Sequence, residues 1–286
     1  MFCRTTAFLS SIDINSVLKD FKRLLTIDLT ECKVSVTNHA SKLRIMLNNI
    51  NKPVDKIGKE DIRNFLAFAS EKYSIETYNC FVKTIRRFFR DHLSKPELAQ
   101  FNFKTVPFNP KMLNLSKQDL CNFYNAIEHP IVKMMFLAYC VTGLRRNDIM
   151  YLLISELDRN NRMIIKTNQS RTKHRWVTFY NDELATVLHS YLDGRRDNNL
   201  KVFPINKWKT FPKFWYMAVA KTGIDITPKD LRDWFNNEMM RLGVSESYIN
   251  AFCGRIPRSV LQRNYVSYNP MKLKEIYDKA NLTLFS

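Results

Sequence analysis

Along the first third of the chain, apolar residues recur at three- and four-residue steps. Ile62, Phe65, Leu66 and Ala69 form one such set, and Tyr78, Phe81, Val82, Ile85, Phe88 and Phe89 form a second. That spacing lines one face of an α-helix, so residues 10–95 are predicted to form a helical bundle. From Lys95 to Pro110 the periodicity stops and Pro96, Pro107 and Pro110 appear, which predicts a linker over 96–110. Beyond it, Val132, Met135, Phe136, Tyr139 and Cys140 predict a buried helix, and Met163 to Thr167 and Trp176 to Phe179 predict the two strands of a hairpin. Leu184, Val187, Leu188, Tyr191 and Leu192 give a further helix. Thr227-Pro228-Lys229-Asp230 reads as a capped helix start with Pro at the first position, and Gly243 as that helix's end. Residues 245–280 are helical in pattern, with breaks near Gly254 and Pro270. The expected fold is mainly α with a small β-hairpin or sheet, in two domains, 10–95 and 111–286.

Composition narrows the class of partner. A chain of 286 residues that is 45% apolar can bury a core. Its 45 Lys and Arg against 27 Asp and Glu give a formal charge of +18 and a pI near 9.7. That field favours a polyanion, nucleic acid first and an acidic membrane surface second. The cations are spread along the chain and interleaved with aromatics, which suits a folded binding surface better than a basic tail. Lys83, Arg86, Arg87 and Arg90 ride on one predicted helix and are expected to contact phosphate. The six cysteines (Cys3, Cys32, Cys80, Cys121, Cys140, Cys253) form no C-x-x-C pair and read as buried thiols of a reducing compartment. No run of 18 uncharged apolar residues occurs and the N-terminus resembles no export signal, so the expected location is cytoplasmic, with no membrane partner.

Four short motifs carry candidate chemistry. Thr142-Gly143-Leu144-Arg145 ends an apolar helix on a Gly and presents Arg145 at a turn, where Asp148 can brace the guanidinium. By itself this is no more than a capped helix with a surface Arg. Arg171-Thr172-Lys173-His174-Arg175 places cations at the hairpin tip. Most such tips are soluble turns, but an ammonium such as that of Lys173 can donate a proton to a departing oxygen. Lys229 and Arg232, three residues apart on the capped helix, stand near an N-terminus that favours an anion, with Leu231, Trp234 and Phe235 left to face the core. Finally, Tyr265 ends a segment that also contains Arg255, Arg258 and Arg263. A tyrosine in a helical pattern is usually core, and its phenol is a poor nucleophile until cations stabilise the phenolate.

Taken in order, these signals resemble the catalytic set of the tyrosine recombinase family, which includes lambda integrase, Cre and the Xer proteins. Arg145 matches the Arg of Gly-Leu-Arg, Lys173 the hairpin Lys, Arg232 the second Arg and Tyr265 the nucleophile. Lys229 stands where the family usually has His, and Arg255 where it has His or Trp. The wording Gly-Arg-x-Pro-x-Ser-Val-Leu and the ten-residue step from Arg255 to Tyr265 are similar to archaeal fusellovirus integrases. The resemblance is specific over 130–280. Over 10–95 it is architectural only, to the family's helical core-binding domain.

What the resemblance implies is a site-specific recombinase acting on double-stranded DNA at an attachment or recombination site, assembled as a synaptic tetramer, without cofactor or metal. Tyr265 would attack a phosphodiester to give a 3′-phosphotyrosine and a free 5′ hydroxyl. Arg145, Arg232 and Arg255 would stabilise the charge on the phosphate, and Lys173 would be the general acid. Lys229 can lower the phenol pKa but cannot accept its proton while charged, so the base is left open. A type IB topoisomerase would use the same Arg, Lys and Tyr chemistry, and a silent DNA-binding protein would keep the fold alone. Tyr268 is the rival nucleophile.

Overall fold

A computed structural model describes residues 14–107, 114–166, 176–255 and 269–285. Lys173, Tyr265 and Tyr268 therefore lie outside the described residues. The chain divides into two compact units, Met1–Pro110 and Lys111–Ser286, each with its own core.

The first unit contains α1 (Ile14–Ile27), α2 (Lys33–Ile50), α3 (Lys59–Lys72) and α4 (Ile75–Ile85), with α2 packed on the other three. Ile62, Phe65, Leu66 and Ala69 are the buried residues of α3, as their spacing predicts. The chain of α4 continues as a π-helical segment, Arg86–His92. Its wider turn brings the consecutive Phe88 and Phe89 both into the core, where Phe88 meets Phe21 edge-on at 5.4 Å.

Of the basic residues expected to contact phosphate, Lys83 and Arg90 are exposed, while Arg86 and Arg87 are half-buried and, with Arg90, have partners within the unit. Arg86 Nε donates to the Phe101 carbonyl at 3.1 Å, and its guanidinium lies 4.4 Å from the centre of the Phe103 ring. Arg87 pairs with Asp91 at 2.9 Å and Glu31 at 3.4 Å, and Arg90 holds Asp91 at 2.6 Å. Part of the stretch beyond Lys95 also lies on this unit. Ala99 is buried, and Asn79 exchanges two hydrogen bonds with the Lys104 backbone, at 2.9 and 2.8 Å.

The second unit is built around α6 (Pro130–Thr142), which follows α5 (Lys117–Ala126). Ten of its 13 residues are buried, so it is apolar nearly all round and serves as the central helix. After α7 (Arg146–Met150) come β1 (Leu157–Asp158), β2 (Met163–Lys166) and β3 (Trp176–Phe179), an antiparallel sheet in that order. The register sets Met163 opposite Phe179 and Lys166 opposite Trp176. Next are α8 (Asp182–Asp193), α9 (Thr210–Thr222), α10 (Pro228–Arg241), α11 (Glu246–Phe252) and α12 (Pro270–Ala280). The architecture is thus mainly helical with one small sheet, as the sequence predicts; β1 is too short to show an alternation.

The last carbonyls of α6 lack helical partners and are closed by side chains from elsewhere. Thr178 Oγ1 of β3 donates to Thr142 O at 2.7 Å, and the Tyr277 hydroxyl of α12 donates to Val141 O at 2.6 Å. These bonds tie sheet and last helix to the end of α6. The cysteines depart from expectation: Cys140 and Cys253 are buried, but Cys32 and Cys80 lie on exposed faces of the first unit and Cys121 is half-buried. Cys3 lies outside the described residues. Among those described, no helix is long and apolar enough to cross a membrane.

Behind the sheet, Lys166 Nζ donates to Glu156 Oε2 at 2.8 Å with both side chains buried, and the same carboxylate oxygen accepts from Leu153 N at 3.0 Å. Removing one partner strands a charge in the interior. Lys166→Met should therefore cost about 3–5 kcal/mol of stability in urea denaturation of the full chain. The double variant Lys166→Met, Glu156→Gln, which keeps an acceptor for Leu153 N, should recover most of the loss.

Candidate active site

Gly143 is in the left-handed region, at φ 64°, and turns the chain sharply out of α6. A Cβ placed there would lie 2.6 Å from the Phe235 ring, so only glycine lets α10 approach this closely. The next residues deliver Arg145 as the N-cap of α7. Asp148 accepts from the Arg145 backbone N–H at 3.3 Å and lies 3.8 Å from its guanidinium, the brace expected from the sequence.

The start of α10 is sealed by its own residues. Thr227 Oγ1 accepts from Asp230 N at 3.4 Å, Asp230 Oδ2 accepts from Thr227 N at 2.9 Å, and Pro228 occupies the first position. The box meets two N–H groups of this terminus, those of Thr227 and Asp230, and Pro228 has none to offer. The two cations also differ in setting: Lys229 is exposed, whereas Arg232 is only 7% exposed. Leu231, Trp234 and Phe235 are buried, as anticipated.

What gathers the arginines is a main-chain carbonyl. Cys253 O accepts from Arg232 Nη2 at 2.9 Å and from Arg145 Nη1 at 3.4 Å. Two residues on, Arg255 is exposed, and Asn250 holds it twice: Asn250 O accepts from Arg255 N and Asn250 Oδ1 from Arg255 Nη1, each at 2.9 Å. The other side of the Asn250 amide donates to Glu246 at 3.3 Å. Between Cys253 and Arg255, Gly254 takes φ 60°, and a Cβ on it would lie 2.4 Å from the Trp176 indole.

Electrostatically the cluster is under tension. Burial, and then the charges of Arg145 and Arg255, push the Arg232 pKa below the usual arginine value, partly offset by Cys253 and Asp148. Arginine nevertheless stays charged. Its Nη1 is buried and has no hydrogen-bond partner. A buried guanidinium N–H without an acceptor costs about 1–3 kcal/mol or more. An anionic oxygen would relieve both the missing bond and the repulsion. Among the described residues no group of three or more His, Cys, Asp or Glu is placed to hold a metal ion.

Arg145, Arg232 and Arg255 are thus brought to one place, Lys229 is at the surface of the same helix as Arg232, and Lys173 and Tyr265 are outside the described residues. The sequence reading missed Asn250 and Trp176. Asn250, five residues before Arg255 on a helix that ends between them, was a detectable signal. Trp176 was not, since nothing in the sequence pairs it with Gly254.

The family model of the phage integrase family matches residues 114–270. Tyrosine recombinase XerA of Saccharolobus solfataricus is 23% identical over 225 residues, covering 72% of this chain and 73% of that protein. XerA of Pyrococcus horikoshii is 25% identical over 232 residues, covering 78% and 80%. Among solved structures, a lambda integrase dimer bound to a COC′ core site superposes with a TM-score of 0.68 at 12% identity, covering 88% of this chain and 78% of that one. The Tn1549 transposon integrase in complex with circular intermediate DNA gives 0.65 at 14%, covering 93% and 99%. At these identities the structural likeness is one of fold. The chain belongs to the phage integrase family, the tyrosine recombinases, which are site-specific DNA recombinases.

Gly243 and Gly254, both of positive φ, separate strain from crowding. Gly243, at φ 83°, has open space where a Cβ would stand, whereas Gly254 has the indole. Gly243→Ala should cost about 1–2 kcal/mol from backbone strain alone. Gly254→Ala should cost a further ~1–3 kcal/mol for displacing Trp176. Thermal or urea unfolding of the two variants measures the difference.

Proposed function

We propose that this chain cleaves and rejoins double-stranded DNA through a covalent 3′-phosphotyrosine on Tyr265. The observation that carries the reading is the convergence of Arg145 and Arg232 on the Cys253 carbonyl, with Arg255 beside them and one buried Arg232 N–H unpaired. Three guanidiniums in one place suit a phosphate, whose oxygens accept their paired N–H donors. In the reaction the Tyr265 oxygen bonds to phosphorus, the bond to the 5′ oxygen breaks, and Lys173 supplies the proton to that leaving oxygen. The arginines hold the charge that builds on the non-bridging oxygens. Reversal by a 5′ hydroxyl rejoins strands without external energy. Lys229 is exposed on α10 and cannot take a proton while charged, so the proton that the Tyr265 hydroxyl gives up on attack goes to a neutral acceptor.

The first unit is assigned to clasping the duplex. The Lys229 and Arg255 replacements and the wording after Gly254 support a role in integrating or excising viral or other mobile DNA inside a host cell. Solved relatives of the same fold include a lambda integrase dimer on a core site and a tetramer bound to a Holliday junction. We extend that mode of assembly to this chain, as a tetramer on paired sites.

The test is covalent capture. The full chain is incubated with a randomised library of nicked duplexes, and DNA that stays attached in denaturing detergent is sequenced. Wild type and Tyr268→Phe should trap DNA and Tyr265→Phe should not; an adduct on Tyr265→Phe sinks the assignment. Arg232→Ala should slow capture by about 10²–10³-fold. Relaxation of supercoiled plasmid without strand exchange between two captured sites would point instead to a topoisomerase.

Asn250 provides a separate check, because it orders Arg255 without reaching the phosphate. Asn250→Ala should lower the single-turnover rate about three- to tenfold, the size of one hydrogen bond, while changing duplex affinity less than twofold. Asn250→Asp, which would tie Arg255 into an ion pair, should be slower than Asn250→Ala.

A further inference from the structure

Three buried side-chain polar atoms among the described residues have no hydrogen-bond partner: His129 Nδ1, Trp176 Nε1 and Arg232 Nη1. Two of the three lie against the same short turn. Arg232 bonds to Cys253 O through its other nitrogen, and the Trp176 ring lies over Gly254. Both orphans are donors.

Buried tryptophans ordinarily place the indole N–H on an acceptor. Trp215 in the same unit does so, donating to Ile226 O at 2.7 Å. Trp176 forgoes this, although the indole is held tightly enough that Gly254 has no room for a Cβ. Its position is fixed from the other side by the sheet, where Trp176 pairs with Lys166 and the following Thr178 is bonded to the end of α6. A ring fixed on both sides, with its one polar atom left without an acceptor, is preorganised for an acceptor that arrives from outside the protein.

The chemistry of that acceptor follows from the neighbours. Arg232 and Arg255 flank the turn that Trp176 covers, and Arg255 is exposed, so the turn meets solvent where an anion can approach. Lys166, the cation opposite Trp176 in the sheet, is already neutralised by Glu156 and draws nothing to itself. The acceptor is therefore an oxygen of the anion that the arginines bind.

We propose that Trp176 is a further catalytic residue, whose indole N–H donates to a non-bridging oxygen of the DNA phosphate held by Arg145, Arg232 and Arg255. This assignment rests on the proposed strand-transfer reaction and adds to it a neutral donor from the sheet. A neutral donor adds one more fixed direction without adding charge: it favours one oxygen and one orientation of the phosphate.

The test uses the full chain and a nicked duplex recovered by covalent capture with the wild type. Trp176→Phe keeps the ring over Gly254 and removes the N–H; Trp176→His keeps a ring N–H. Trp176→Phe should slow adduct formation roughly tenfold, as for loss of one bond to a charged acceptor, with duplex affinity within about twofold. Trp176→His should be faster than Trp176→Phe. The penalty of Trp176→Phe should vanish on one of the two stereoisomeric methylphosphonate duplexes, in which a methyl replaces a single non-bridging oxygen, and persist on the other. Wild-type rates in Trp176→Phe, or an equal penalty on both stereoisomers, would overturn the assignment and leave the strand-transfer reading standing. A wild type that captures no duplex at all would overturn that reading, and the role of Trp176 with it.

Discussion

Guanidinium groups repel one another, and the second unit is arranged to hold three of them together in spite of that. The carbonyl of Cys253 does most of the holding, since it receives N–H groups from both Arg145 and Arg232. For one carbonyl to meet both, the ends of α6, α10 and α11 have to converge. They converge because Gly143 lets Phe235 come within 2.6 Å of where a Cβ would stand, and because Gly254 admits the Trp176 indole. Packing supplies the energy that electrostatics withholds: α6 is buried on nearly every side, and its last carbonyls are closed by Thr178 and Tyr277.

The helices were legible in the sequence where burial is one-sided or complete. Spacing placed the buried face of α3 and the central helix α6, and the Thr-Pro-Lys-Asp wording placed the capped start of α10. Arg145 with its Asp148 brace was legible too, because both lie within five residues of a turn-forming glycine. The arginines could be aligned with a family by their order along the chain, but not located relative to each other: the atom that joins them is a backbone oxygen, which no residue type announces. Trp176 and Gly254 meet across 78 positions for the same reason. At the start of α10 the sequence showed the Thr227–Asp230 box, which closes two N–H groups of that terminus from within.

The setting of Arg232 differs in kind from that of Arg255. Arg232 is buried and fixed by the core, so its orientation persists whatever the solvent does. Arg255 is exposed, and its guanidinium is steered by the Asn250 side-chain oxygen while the Asn250 carbonyl holds its backbone N–H. A rigid cation and a steered one thus share the site. The buried one is costly to the free protein, and its unpaired N–H is the kind of strain that folded proteins retain where a ligand resolves it.

The pairing of basic residues in the first unit bears on how tightly the chain can hold a polyanion. Affinity for DNA falls with salt according to the number of counterions displaced, which follows contacts made with phosphates rather than net charge. Arg86 is engaged by a carbonyl and a ring, Arg87 and Arg90 share Asp91, and Arg159, Arg162, Arg195 and Arg241 likewise have carboxylate partners. Such cations shape the long-range field that draws DNA in, but a carboxylate partner competes with phosphate for each of those that has one. The formal charge of +18 therefore describes the approach of the duplex, and the cations that actually touch phosphates, rather than the net charge, set the ionic-strength dependence of the complex.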